Sequence, residues 1–93
     1  MPSYRTIMTV TTLAPGRAPE EVEAAARSVT RLESWDIAIA SGQPRVTARF
    51  TATDDAEARA IHREIIAAVR LVAEVPRARL AAVVRGRSRY LAP

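Results

Sequence analysis

One histidine, His62, and fourteen arginines are the side chains through which this chain of 93 residues could do chemistry; it has no cysteine, lysine or asparagine. Without cysteine there is no disulfide, no thiolate metal ligand and no sulfur nucleophile. A single histidine with no second histidine to share an ion points to no metal site. His62 sits within an apolar stripe, one turn after Ala58 and one before Ile65 and Ile66. That position reads as a satisfied boundary or core residue, and no cleft can be placed from sequence in which it would act as a base. No two carboxylates are positioned to face each other across a cleft: the acids of the first helix lie on its solvated side, and Asp54 and Asp55 are explained by a helix start. We therefore expect no catalytic residue, no metal and no cofactor.

The arginines are unevenly placed. Residues Pro76 to Pro93 hold five (Arg77, Arg79, Arg85, Arg87, Arg89) and no acid, whereas the preceding 75 residues hold nine arginines against ten acids. The formal net charge of +4 comes from this end. Such a segment reads as the solvated end of a fold or as a basic tail docking on an acidic partner, nucleic acid included. Gly16 and Arg17, just before a helix, form the one place where a small anionic ligand could be held at a helix start.

These residues must be positioned by elements readable from the pattern. Apolar residues make up 48% of the chain and aromatics 4%, so a core of Ala, Val, Ile and Leu in one domain is expected. A strand over Tyr4–Leu13 is rich in β-branched residues. After the APGRAP connector, Pro19 to Leu32 reads as a helix, with Glu20, Glu21 and Glu23 in its first turn and a stripe of Val22, Ala25, Ala26, Val29 and Leu32. Two strands, Trp35–Ala40 and Arg45–Thr53, flank SGQP. A loop at Gly42-Gln43 gives pairs summing to 85: Ile39 with Val46, Ile37 with Ala48, Trp35 with Phe50, Asp36 with Arg49. A second helix spans Asp55–Ala73, with Asp54 as N-cap and Glu57 three residues on. A last strand, Arg77–Arg85, alternates, with Pro76 at its edge.

The order βαββαβ predicts an α+β fold: a ferredoxin-like sandwich, one four-stranded antiparallel sheet in order 4-1-3-2 with both helices on one face. The whole chain, 1–93, is one domain, with about 86–93 readable as a flexible basic tail. The uncovered sheet face carries Ile7, Arg45, Arg49, Arg77, Arg79, Ala81 and Val83: arginines around a small apolar middle. We expect this face or an edge strand to form an interface, with a homo-oligomer, a dimer first, as the outcome. The aromatic residues by which RNA-recognition sheets stack bases are absent from it, so nucleic acid is the less favoured partner.

The stretches TVTTLAPGRAPEEVEAAARSV and FTATDDAEARAIHREIIAAV resemble the pattern of ACT-type regulatory domains. That resemblance implies the same fold order, a small-molecule ligand and association through edge strands or helices. In place of the family's Asp-Arg-Pro-Gly loop stands Leu13-Ala14-Pro15-Gly16, so only Gly16 and Arg17 are carried over. Acylphosphatases share the order but need an asparagine that this chain lacks. The function expected is that of a non-catalytic, oligomeric binding, regulatory or assembly module acting through the open sheet face or an edge strand; alternatives are an arginine-driven binder of nucleic acid or an acidic protein partner and a small dimeric α+β enzyme. No membrane span and no secretory leader are read, so the expected location is the cytoplasm.

Overall fold

The computed structural model describes residues 1–92. In chain order the elements are β1 (Ser3–Thr9), α1 (Glu20–Arg27), β2 (Ser34–Ala40), β3 (Gln43–Thr51), α2 (Asp55–Arg70), β4 (Arg77–Val84) and β5 (Arg87–Tyr90). They build an α+β domain with one antiparallel sheet and two helices. The sheet has five strands in the order β2-β3-β1-β4-β5, not the four in order 4-1-3-2 that the sequence led us to expect. The addition is β5: Arg85 and Gly86 form a two-residue turn at φ 53° and 78°, and the chain folds back along β4 instead of trailing off.

Alternation decides the faces of the sheet. Tyr4, Thr6 and Met8 of β1, Val46, Ala48 and Phe50 of β3 and Leu80 and Ala82 of β4 are buried, and they point toward the helices. Phe50 and Tyr4 stack with ring centroids 6.0 Å apart. Val22 and Ala26 of α1, and Ala58, Ile65, Ile66 and Val69 of α2, complete the core. Each large side chain so buried contributes roughly 1.5–3 kcal/mol.

Both helices are shorter than their apolar stripes. α1 stops at Arg27, where Ser28 donates its hydroxyl to the Ala25 carbonyl at 2.6 Å and closes the last turn. Its first turn is closed by Glu21, which accepts from the Ala18 N–H at 2.6 Å. α2 starts as its sequence indicates: the Asp54 carboxylate accepts from the Glu57 N–H at 2.9 Å, and Glu57 reaches back to the Thr53 N–H at 3.0 Å. It ends at Arg70, because the next residues turn to pair with the segment after β1. Glu74 N–H donates to the Thr12 carbonyl and Ala14 N–H to the Val72 carbonyl. That change of partner also ends β1 at Thr9, earlier than the expected Leu13.

The β2–β3 register differs from expectation by two residues. Pairs sum to 83: Ile39 lies opposite Pro44, Ile37 opposite Val46, Trp35 opposite Ala48, and Asp36 opposite Thr47. The turn is Ser41-Gly42, at φ 52° and 76°, a left-handed pair whose twist suits a two-residue hairpin. A shift of two leaves every side chain on its expected face but removes the Asp36–Arg49 pairing. Arg49 instead lies opposite Ser34, with Nε 3.5 Å from Glu33 Oε1.

Candidate functional site

The open edge of β2 is the surface with the least satisfied chemistry. Ile37 is 63% exposed and Ile39 72%, although both point to the helix side of the sheet. The short α1 explains this, since its two buried residues, Val22 and Ala26, lie in its first two turns and nothing in it covers the outer strand. Between α1 and β2 runs an apolar groove of about 260 Å³, walled by Val10, Leu13, Val22, Trp35, Ile37 and Val46, with prolines at its ends.

The backbone of β2 is open on the same side. Val10 N–H donates to the Pro44 carbonyl, so the even residues of β3 bond to β1 and the odd ones to β2. Their partners Ser34, Asp36, Ala38 and Ala40 therefore turn inward. Trp35, Ile37 and Ile39 present their N–H and C=O groups to the unpaired edge.

The open face of the sheet gathers some of the expected residues and hides others. Arg45, Arg77 and Arg79 are exposed, Ile7 and Arg49 half-buried. The apolar middle is largely covered within the chain: Ala81 is buried, flanked across the register by Arg5 and Tyr90, and Val83 is half-buried. Arg5 is fixed by donating to the Ser88 hydroxyl at 2.8 Å, and the Arg79 guanidinium lies 3.8 Å over the Tyr90 ring. A polar hollow of about 330 Å³ remains between Arg5, Arg45, Asp36 and Tyr90. Tyr90 was not foreseen as part of this face. The alternation Arg87-Ser88-Arg89-Tyr90 is the signal that could have found it, since it puts Ser88 and Tyr90 on one side.

Of the two residues expected to bind a small ligand at the first helix, Arg17 is engaged by Glu21 at 3.0 Å, and Gly16 takes φ 79° in the connector. Of the basic end, Arg85 forms the hairpin turn and Arg87 and Arg89 stand exposed on β5. Pro93, the last residue of the expected tail, lies outside the described residues.

His62 faces the sheet from α2. Its Nδ1 is 2.9 Å from Thr6 Oγ1, and Thr6 is fully buried. Burial, with the neighbouring Arg63 charge, lowers its pKa below the ordinary histidine value. Tyr4 donates to Asp55 Oδ1 at 2.8 Å; burial first, then this bond, raises its phenol pKa. Among the described residues no three of His, Cys, Asp and Glu are grouped to hold a metal ion. No helix is long and apolar enough to cross a membrane.

Fold and surface together define a small α+β domain with one apolar, unpaired sheet edge. No family model, no curated protein and no solved structure matches the chain.

Proposed function

We propose that this protein is a non-catalytic assembly module that pairs with a second copy of itself through β2, acting in the cytoplasm. The fold part of the reading is that β1–β4 with the two helices form a ferredoxin-like core to which β5 is appended. The observation that carries the proposal is the coincidence, on one strand, of unpaired backbone groups with the exposed side chains of Ile37 and Ile39. Long apolar edge strands are templates for pairing, and proteins that stay monomeric usually blunt them.

A two-fold pairing of β2 with its copy must bring the outward-facing residues 35, 37 and 39 opposite one another. Three registers do this for at least two of the three residues. Pairs summing to 72 set Asp36 against Asp36 of the second copy, which like-charge repulsion disfavours. Pairs summing to 76 leave Trp35 opposite a turn serine. Pairs summing to 74 set Ile37 against Ile37 and Trp35 against Ile39, and leave Asp36 opposite Ala38. This last register is the one favoured. It forms a continuous ten-stranded sheet, with both pairs of helices on the same side and the two apolar grooves meeting at the two-fold axis.

The test is solution mass by light scattering over a concentration series at low and high salt. A dimer that persists at high salt is expected, because the contact is apolar and backbone-mediated. A monomer throughout overturns the proposal. A mass that falls with salt would favour contact through the arginines of the open face instead.

A further inference from the structure

The opposite side of the molecule carries a second groove, between α2 and β4. It consists of two adjoining hollows, about 290 and 660 Å³, that share His62, Arg63, Ala78 and Arg79. We propose that this groove binds a small organic anion: a carboxylate or phosphomonoester head on an apolar body. The inference does not rest on the pairing of β2.

Charge is the first argument. Arg59, Arg63 and Arg70 line it from α2, Arg77 and Arg79 border it from the edge of β4, the Arg79 guanidinium itself lying over Tyr90 on the open face, and no carboxylate lines it among the described residues. Three arginines elsewhere are paired with a carboxylate, Arg17 with Glu21, Arg27 with Glu23 and Arg49 with Glu33, and among the described residues none of the five at the groove is. Here Arg59 and Arg70 are tethered at opposite ends by neutral carbonyls, those of Ala92 at 3.2 Å and Val75 at 2.9 Å. Arg63 and Arg77 are exposed and have no ion-pair or hydrogen-bond partner among the described residues. Guanidinium forks match the paired oxygens of a carboxylate or phosphate.

The second argument is the wall. Ile66 and Leu80 are buried beneath the groove, and Ala78 and Leu91 pack partly against the core. This apolar surface lies within a side chain's reach of the guanidinium groups, the combination that small-ligand clefts use: an apolar lining with a few convergent polar groups. The His62 ring is fixed through Nδ1 by Thr6, so its Nε2 end is the polar group at the junction of the two hollows. The apolar body and the anionic head of the ligand are thus recognised by different parts of one cleft, which neither an inorganic ion nor an uncharged apolar molecule satisfies.

The experiment is an NMR titration of the full chain, following backbone amides, with four probes: octanoate, octyl phosphate, inorganic phosphate and octanamide. Saturable shifts centred on residues 59–67 and 76–80 are expected with octanoate or octyl phosphate, with inorganic phosphate and octanamide at least about tenfold weaker. The double variant R63Q/R77Q alters two exposed side chains and leaves the core intact. It is expected to weaken binding by about tenfold while its amide spectrum stays folded. The absence of saturable shifts up to millimolar octanoate and octyl phosphate overturns the proposal. So does equal affinity for octanamide, or binding unchanged in R63Q/R77Q. Light scattering on the same samples keeps this result separate from that of β2 pairing, because R63Q/R77Q leaves β2 untouched.

Discussion

Replacing Ile37 by lysine tests the β2 contact at its centre. In the favoured register Ile37 faces its own copy across the two-fold axis. Full burial of an isoleucine contributes roughly 1.5–3 kcal/mol, and Ile37 still has 63% of its surface to bury. Each copy therefore gains roughly 1–2 kcal/mol, and the dimer roughly 2–4 kcal/mol, from this position alone. I37K removes that gain and sets two ammonium groups opposite each other, so the dissociation constant should rise by at least about 30-fold. The folded monomer should be nearly unaffected, within about 0.5 kcal/mol, because the site is exposed within one chain. Sedimentation velocity measures the first quantity and urea unfolding of dilute protein the second. Because the chain has no cysteine, I37C adds a geometric readout. Opposed α-carbons in a hydrogen-bonded antiparallel pair lie about 5.5 Å apart, within disulfide reach. D36C would place its thiols on a diagonal about 7–8 Å long, outside that reach. I37C should cross-link on mild oxidation and D36C should not. An I37K protein that dimerises like the parent, or equal cross-linking of the two cysteine variants, refutes the reasoning.

Three further outcomes follow from the fold. Phe50→Ala, at a fully buried position against Tyr4, should cost about 3–5 kcal/mol and lower Tm by about 12 °C or more in calorimetry; a loss below about 1 kcal/mol would mean that Phe50 is not in a packed core. His62 should make stability fall with acidification. Its folded pKa is lowered, so as pH drops below about 7 the unfolded chain takes up the proton first, and stability declines from there down to the folded pKa. The charged and titratable neighbours around it are Arg59 and Arg63 on α2, Arg77 and Arg79 on β4, and the Tyr4–Asp55 pair; urea midpoints at pH 7.5 and 5.5 should differ less in His62→Gln than in the parent. Gly42→Ala meets no atom within 4 Å, so only its φ of 76° resists. The expected loss is about 1–2 kcal/mol in urea unfolding, and an unchanged or raised midpoint would contradict a left-handed turn there.

What the sequence made legible was the part governed by local pattern. Asp54 with Glu57 marked the start of α2, and the stripe of Ala58, Ile65 and Val69 marked its buried face, because capping and helical periodicity act within a few residues. The face of each residue in the hairpin was also readable. Its register was not: Gly42 alone signals a turn, but whether it is the first or second turn residue depends on Ser41 adopting a positive φ. The same ambiguity hid β5. Arg85-Gly86 is the second such turn, and Arg87-Ser88-Arg89-Tyr90 carries too few β-branched residues to announce a strand; it forms one because Leu80 and Leu91 pair across it. The exposure of Ile37 and Ile39 was illegible for a different reason. An apolar alternation says that a strand has an inner face, not whether a helix is long enough to cover it, and α1 ends at Arg27, short of its stripe.

The two outer strands treat their unpaired backbone in opposite ways, and under the proposed pairing this gives the arginine surplus at the C-terminal end a role. β5 presents Arg87 and Arg89 along its length, with Arg85 in the turn beside them. A second copy approaching this edge would set guanidinium against guanidinium in the antiparallel registers that pair two or more residues of the strand, and such charges are a common guard on sheet edges. β2 carries one charge, Asp36, which turns to the open face and is avoided by a single choice of register. Pairing is thus blocked at one end of the sheet and left available at the other, so association should stop at a closed dimer and not run on into a filament. If β2 pairs as proposed, the arginines would let an apolar edge be exposed without open-ended aggregation. Replacing Arg87 and Arg89 together by threonine, which raises strand propensity and removes the repulsion, should turn a defined dimer into larger species in light scattering. If the R87T/R89T protein keeps the parent's mass, the charge of β5 has no part in limiting assembly.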